Sequence, residues 1–301
     1  MIRVTQTRQS GLALQSIATA RSRMQQAQQV AMSGRRVTKP SDDPAAAARS
    51  RLLGELETRA ASHRTTAQYA RSRLETADQA LSEAGNVLVR ARQIATAMAN
   101  GTMSSSERTA AATEVGQLRR AMVGLVNTQH GDEYVFAHVA TRSPPYQDGV
   151  GFTYDVNTYS EVREAEVGPT QRVEIGASAS EGFAQRAAAP ASVDVIATLE
   201  QLAANLAAND VDAIRSDIDT VAAAFDQVLG ERTRAGVRME QLQRADEVAG
   251  QSQGVYARLR SDLVDADAAE AFSRLSLAEY TMQAAVTVAS RVLGPSLLDT
   301  L

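Results

Sequence analysis

An unbroken stripe of small and apolar residues runs through Leu53, Leu56, Ala60, His63, Ala67, Ala70, Leu74, Ala77, Leu81, Ala84, Leu88, Ala91, Ala95 and Met98. The steps alternate between three and four, which places every one of these side chains on a single seam of an α-helix. A helix following the whole stripe is roughly 70 Å long at ~1.5 Å per residue. Compact domains seldom contain a helix of that length, so the chain is committed to elongated, side-by-side helical packing. Composition agrees: aromatic residues make up only 4% of the 301 residues and Trp is absent, while Ala is abundant. Thin seams between helices suit such a chain better than a thick globular centre.

Shorter stripes of the same kind flank this one. Ala13, Ile17, Ala20, Met24, Ala27 and Ala31 form a first seam, and Gly34 follows where a helix takes a left-handed C-terminal residue, so that helix is expected to end near Ser33. In Lys39-Pro40-Ser41-Asp42-Asp43-Pro44, Asp43 can cap a new helix while Pro44 occupies its first turn. Asn100-Gly101 ends the long helix. Ser104 with Glu107 has the spacing of a capping box, opening a helix through Val115, Leu118, Met122 and Leu125 that Gly131 is expected to close, giving an antiparallel hairpin.

Between Asp132 and Pro190 the character changes, as Tyr, Phe, Gly and Pro concentrate there. Tyr134-Val135-Phe136, Phe152-Thr153-Tyr154 and Arg172-Val173-Glu174-Ile175 read as strands separated by turns. Helical periodicity returns after Ser192 and Asp194 with Val195, Leu199, Leu202 and Leu206, then with Ile214, Ile218, Val221, Phe225, Val228, Arg232, Ala235, Met239 and Leu242. Asp267 and Glu270 form a second capping pair before a final seam of Ala268, Ala271, Leu275, Ala278, Met282, Ala285, Ala289 and Val292. The fold expected is therefore mainly α: a long coiled-coil helical bundle of N- and C-terminal segments with a small β-rich insert. Residues 1–43 and 255–301 form a terminal coiled-coil assembly domain, 44–131 and 192–254 a helical bundle, and 132–191 the insert.

Charge is divided unevenly. Met1 to Lys39 holds seven basic residues and no acid, whereas Ser261 to Leu301 holds six acids and two Arg, so the ends are complementary. A basic, acid-free N-terminus also fits a transit peptide or a nucleic-acid arm, but aromatic stacking residues and Lys clusters are missing, which argues against nucleic acid as a partner. There is no Cys, which excludes disulfides, thiolate metal sites and thiol nucleophiles. No run reaches the ~20 apolar residues that cross a bilayer, and a cleaved signal core is not visible, so membrane insertion is not expected.

Catalytic or cofactor chemistry finds little support. His63, His130 and His138 are far apart and lack a second ligand at helical spacing; His63 reads as a seam residue and His130 as a cation at a helix C-terminus. Asp262, Asp265, Asp267 and Glu270 lack the alternating ligands and central Gly of a calcium loop, so helix capping is the simpler reading. Asp42 and Asp43 are likewise caps rather than an acid/base pair. No phosphate-cradling Gly loop, nucleophile elbow or nucleotide fingerprint is present. The expectation is no enzyme, no metal and no cofactor.

The stretch Ser33-Gly34-Arg35-Arg36-Val37-Thr38-Lys39-Pro40-Ser41-Asp42-Asp43-Pro44-Ala45-Ala46 resembles the N-terminal signature of the hook-associated protein 3 branch of the flagellin superfamily. Flagellins proper are similar here but typically read Ala-x-Asp-Asp-Ala-Ala-Gly, so Pro40 and Pro44 favour the junction branch. Asp265-Ala266-Asp267-Ala268-Ala269-Glu270-Ala271 and the ending Pro295-Ser296-Leu297-Leu298-Asp299 look like the same branch. The likeness covers roughly residues 1 to 140 and 195 to 301, and only loosely the insert. His138 stands where the family commonly has Gly.

This resemblance implies an extracellular flagellar subunit, exported through the type III channel without a cleaved signal and served by an export chaperone. It would assemble with itself between hook-associated protein 1 and flagellin. It also implies an inner tube of paired terminal helices, an outer helical layer and an outward β-rich domain. The residues expected at the assembly interface are Ala13, Ile17, Ala20, Met24, Ala27, Leu275, Met282, Ala285, Ala289 and Val292. Arg21 and Arg23 are expected to attract Asp262 and Asp265. Periodicity alone leaves open whether the two terminal seams close on each other within one chain or between subunits. A divergent flagellin is the nearest alternative; a chemoreceptor-like signalling coiled coil is a more distant one, disfavoured by the strands at the centre.

Overall fold

The computed structural model describes residues 2–137, 141–153, 163–186, 188–189 and 191–293. In chain order the described elements are α1 (Ile2–Ser33), α2 (Pro44–Met98), α3 (Ser105–Val126), β1 (Gln129–His130) and β2 (Glu133–Tyr134), followed by β3 (Tyr146–Gln147), β4 (Gly151–Phe152), β5 (Glu164–Glu166) and β6 (Arg172–Glu174). They end with α4 (Ala179–Gly182), α5 (Val195–Ala208), α6 (Val211–Val264) and α7 (Ala268–Leu293). The chain is mainly α, as the stripes imply, and the described strands pair in two-stranded antiparallel ribbons. It divides into two compact units, one of residues 1–59 and 252–301 and one of residues 60–251.

Within residues 60–251 the long seam does what its spacing dictates. Ala67, Ala70, Leu74, Ala77, Leu81, Ala84, Leu88, Ala91 and Ala95 are all buried, and so are Ile214, Val221, Val228, Ala235 and Leu242 on α6. Most of these join Val115 and Met122 of α3 and Leu199, Leu202 and Leu206 of α5 in one continuous core. Side-chain ion pairs cross the same packing, from Arg232 to Asp78 at 2.8 Å and from Arg90 to Glu114 at 2.7 Å.

The caps are encoded locally. Ser104 and Glu107 form a reciprocal capping box on α3, and Asp194 accepts from the N–H groups of Ile196 and Ala197 at the start of α5. Asn209 stops α5 with φ 59°, the left-handed conformation that Asn tolerates. Buried Arg108 satisfies the carbonyls that α2 leaves open at its C-terminus, donating from Nε to Met98 at 2.9 Å and from Nη2 to Asn100 at 2.8 Å.

Two local expectations are corrected. α3 stops at Val126 rather than at Gly131, because the Asn127 side chain exchanges two hydrogen bonds with the backbone of Tyr146 and Thr128 Oγ1 donates to the Leu125 carbonyl at 2.7 Å. Gly131, at φ +63°, instead turns the β1–β2 hairpin. His130 therefore lies on β1, 3.1 Å from Thr76 Oγ1 and edge-on to the Tyr69 ring, and is not a helix-terminal cation.

The strands are also shorter than their apolar runs. Only Tyr134 of Tyr134-Val135-Phe136 pairs, since Val135 and Phe136 enter the core, where Phe136 meets Phe183 edge-on at 5.3 Å. Ala165, Val173 and Ile175, from the β5–β6 hairpin and the residue after it, pack on Ala70, Leu74 and Leu242. Tyr154 and His138 lie outside the described residues.

Candidate assembly interface

In the unit of residues 1–59 and 252–301, α1 packs against α7. The two chain directions are set by a backbone clip at their shared end. The N–H of Ala266 donates to the Gly34 carbonyl at 2.9 Å, Arg35 and Asp265 form an antiparallel bridge, and Arg36 N donates to the Val264 carbonyl at 2.7 Å. The Arg36 guanidinium adds a bond to the Leu263 carbonyl at 2.7 Å. Because α1 arrives at this clip and α7 departs from it, the two helices run antiparallel, and Ile17 and Met282 stand at similar distances from it.

Apart from Ala268, which is exposed at the start of α7, the described seam residues fall on the covered side. On α1, Ala20 is buried and Ala13, Ile17, Met24, Ala27 and Ala31 are half-buried; every other α1 residue from Gly11 to Ser33 except Val30 is exposed. On α7, Ala271 and Ala289 are buried and Leu275, Ala278, Met282 and Ala285 are half-buried. The side chain of Val292 and the ending Pro295, Ser296, Leu297 and Leu298 lie outside what is described. Small side chains at these positions let helix axes approach toward ~8 Å, the close end of the usual range. The seams thus meet within one chain, the alternative that periodicity alone left open.

Large apolar side chains remain on the other faces. Leu12 is 64% exposed, Phe272 60%, Leu277 67% and Tyr280 73%, and Leu14, Met32, Val286 and Val288 are exposed as well. Seam reading missed them, although a signal was there: the seam holds mostly Ala, while the bulkier residues sit off it. A two-helix pair has no third surface to cover them, and so many large apolar side chains left exposed on one helix pair point to an interaction surface.

Arg21 and Arg23 do not pair with Asp262 or Asp265 among the described residues. Both Arg lie well inside α1, whereas Asp262 precedes the clip and Asp265 is part of it, where it accepts from Ser261 Oγ at 2.6 Å. Glu270 likewise turns to Arg274 at 2.6 Å rather than back to the cap, so Asp267 alone caps α7, accepting from the N–H groups of Ala269 at 2.8 Å and Glu270 at 3.2 Å.

The signature turn explains its own residues. Gly34 takes φ +65°, and Ser33 Oγ accepts from Arg35 N at 3.2 Å. Asp42 Oδ2 gathers the N–H groups of Thr38 and Lys39 and the Thr38 hydroxyl at 2.8 to 3.0 Å, with Pro40 and Ser41 at the exposed tip between. Asp43 Oδ1 caps α2 through Ala46 N at 2.9 Å, with Pro44 as the first helical residue and Arg36 at 3.6 Å. Val37, Ala46 and Val264 close a small core beneath the turn.

These bonds to backbone N–H groups hold Asp42 and Asp43 below their ordinary value of 3.8. A carboxyl depressed in the folded state stabilises it above the unfolded value and ceases to as pH falls through the folded one. The turn is therefore expected to stay closed above about pH 4 and to loosen below it, seen as faster amide exchange at Thr38, Lys39 and Ala46 in a pH series.

Among the described residues no three His, Asp or Glu side chains gather as a metal site, and no helix is long and apolar enough to cross a membrane. His63 lies on its seam and donates from Nδ1 to the Glu166 carbonyl at 3.3 Å.

Comparison with known proteins adds to this geometry. Residues 6–141 match the model of the bacterial flagellin N-terminal helical region. Over 283 residues the chain is 24% identical to flagellar hook-associated protein 3 of Escherichia coli, covering 88% of this chain and 89% of that one. Over most of its length this chain is similar to flagellar hook-associated protein 3. In fold, it is similar to a flagellar hook-associated protein from Vibrio parahaemolyticus, with TM-score 0.66 at 19% identity over 74% of this chain and all of that one. A hook-associated protein 3 from Legionella pneumophila gives TM-score 0.61 at 15% identity, covering 71% of this chain and 98% of that one. These relatives are structural proteins of the flagellum.

Proposed function

We propose that this chain is a structural subunit, not an enzyme, that joins hook-associated protein 1 to the flagellin filament at the extracellular base of that filament. The observation that carries this reading is the terminal helix pair, whose Ala-rich seam is closed internally while Leu12, Phe272, Leu277 and Tyr280 stay uncovered. Such a pair is a half-finished layer: its apolar outer faces are buried only when further copies pack alongside. In this reading the organisation is tripartite, with a terminal coiled coil (1–43 and 255–301), a helical bundle (44–131 and 192–254) and an outward insert (132–191). The name of the E. coli relative supports a hook-associated place, and the route is export through the flagellar type III apparatus with its chaperone.

Fluorescent labelling of the full chain in cells tests this. One focus at each hook–filament boundary is expected, with a copy number that does not grow as the filament lengthens. Label spread along the filament would instead make the chain a filament subunit.

A further inference from the structure

A pocket of about 370 Å³ opens beside the signature turn, with Arg35, Lys39, Arg51 and Arg260 on its lining, Val37 and Val264 as apolar wall, and no carboxylate on its lining among the described residues. Arg260 is already paired with Glu57 at 3.0 Å, and Lys39 acts on Asp42 across the turn. Arg35 and Arg51 have no ion pair among the described residues, so the concavity carries uncompensated positive charge. Gly54 keeps the α2 wall low, since a Cβ there would stand 3.6 Å from Nη1 of Arg260.

Elsewhere in the same unit is a carboxylate with the opposite need. Phe272, Glu279 and Val286 follow at seven-residue intervals and so share one face of α7; all three are exposed. Glu279 has no ion pair among the described residues and sits between the large apolar side chains of the uncovered surface. Covering that surface strips water from the carboxylate, which is costly unless a cation replaces it. We infer that Glu279 of one copy inserts into the Arg35–Lys39–Arg51 pocket of an adjacent copy, so that burial of the apolar face and neutralisation of the pocket happen together. Other cations, such as Arg21 and Arg23, stand singly on exposed helix surface, where hydration already satisfies them. This inference rests on the assembly reading above and specifies its charge registry.

The test is charge exchange in the full-length chain, expressed in cells lacking the native copy and counted at the flagellum by label. Glu279→Lys and Arg51→Glu are each expected to lower incorporation about tenfold, and the double variant carrying both is expected to recover most of it. Arg51 is exposed on α2, so its replacement leaves packing intact, and Lys39→Glu serves as a second pocket variant. Wild-type-like incorporation of either single variant overturns the pairing, as does a double variant no better than the singles, or rescue of Glu279→Lys by Arg21→Glu or Arg23→Glu. Absence of the unaltered chain from flagella is a different result, since it removes the assembly reading itself.

Discussion

A chain carrying Asp at both position 17 and position 282 is expected to leave α1 and α7 unpaired and to be lost from assembled flagella by more than about 100-fold. Ile17 and Met282 are half-buried on the facing seams of an antiparallel pair. Two carboxylates at this level would be partly desolvated and face each other with no cation on the seam, because the neighbouring seam positions are Ala20, Ala13, Ala278 and Ala285. A loss of about 3 kcal/mol in pairing corresponds to roughly a hundredfold in equilibrium constant, and assembly multiplies it over many copies. Residues 60–251 contain neither site, so their helical signal and cooperative unfolding should persist. Circular dichroism of the purified variant beside label counts on cells separates the two effects; incorporation at the unaltered level would show that the seam is not the closed surface described here.

The helices were legible in the sequence because their cause is local. A stripe repeating at 3.5 residues has one buried face whatever packs on it, and so Leu53 to Met98 and Ile214 to Leu242 mapped onto covered positions without exception. Caps such as Ser104–Glu107 and Asp43 were legible for the same reason, as side-chain oxygens bonding N–H groups three residues away. The end of α3 was not, because Asn127 is recruited by Tyr146, a partner that no window around Gly131 contains. His130 failed with it. Charge complementarity between the two ends was visible as composition but misleading as geometry, since pairing partners are set by distance from the clip at Gly34 and Ala266. Periodicity identified the seam, yet it could not say that the seam closes within the chain, which moves the candidate intersubunit surface to Leu12, Phe272, Leu277 and Tyr280. The polar anchors of the insert were invisible too, because Arg73 occupies an ordinary-looking position beside Leu74 on a helix rich in Arg.

Replacing that one side chain by Met is expected to destabilise the folded chain by about 3 kcal/mol, mostly by releasing the β1–β2 hairpin. Arg73 is only 1% exposed, and its guanidinium reaches three acceptors: Glu133 Oε2 at 2.7 Å, the Tyr134 carbonyl at 2.7 Å and the Val135 carbonyl at 3.4 Å. Methionine fills similar volume but offers no donor, so both carbonyls lose a buried partner and Glu133 loses a cation. Burial acts to raise Glu133, but Arg163 at 2.8 Å, the charge of Arg73 and the Tyr69 hydroxyl outweigh it and hold the carboxyl below its ordinary value of 4.5. Since a depressed carboxyl stabilises the fold above its unfolded value and less as pH falls through the folded one, the wild-type hairpin should weaken below about pH 4.5, and the variant should show a smaller dependence there. Urea unfolding of the full chain at neutral and acidic pH measures both quantities. A midpoint unchanged at neutral pH would mean that the hairpin is held by its apolar contacts through Val135 and Phe136 and that the buried guanidinium contributes nothing to holding it.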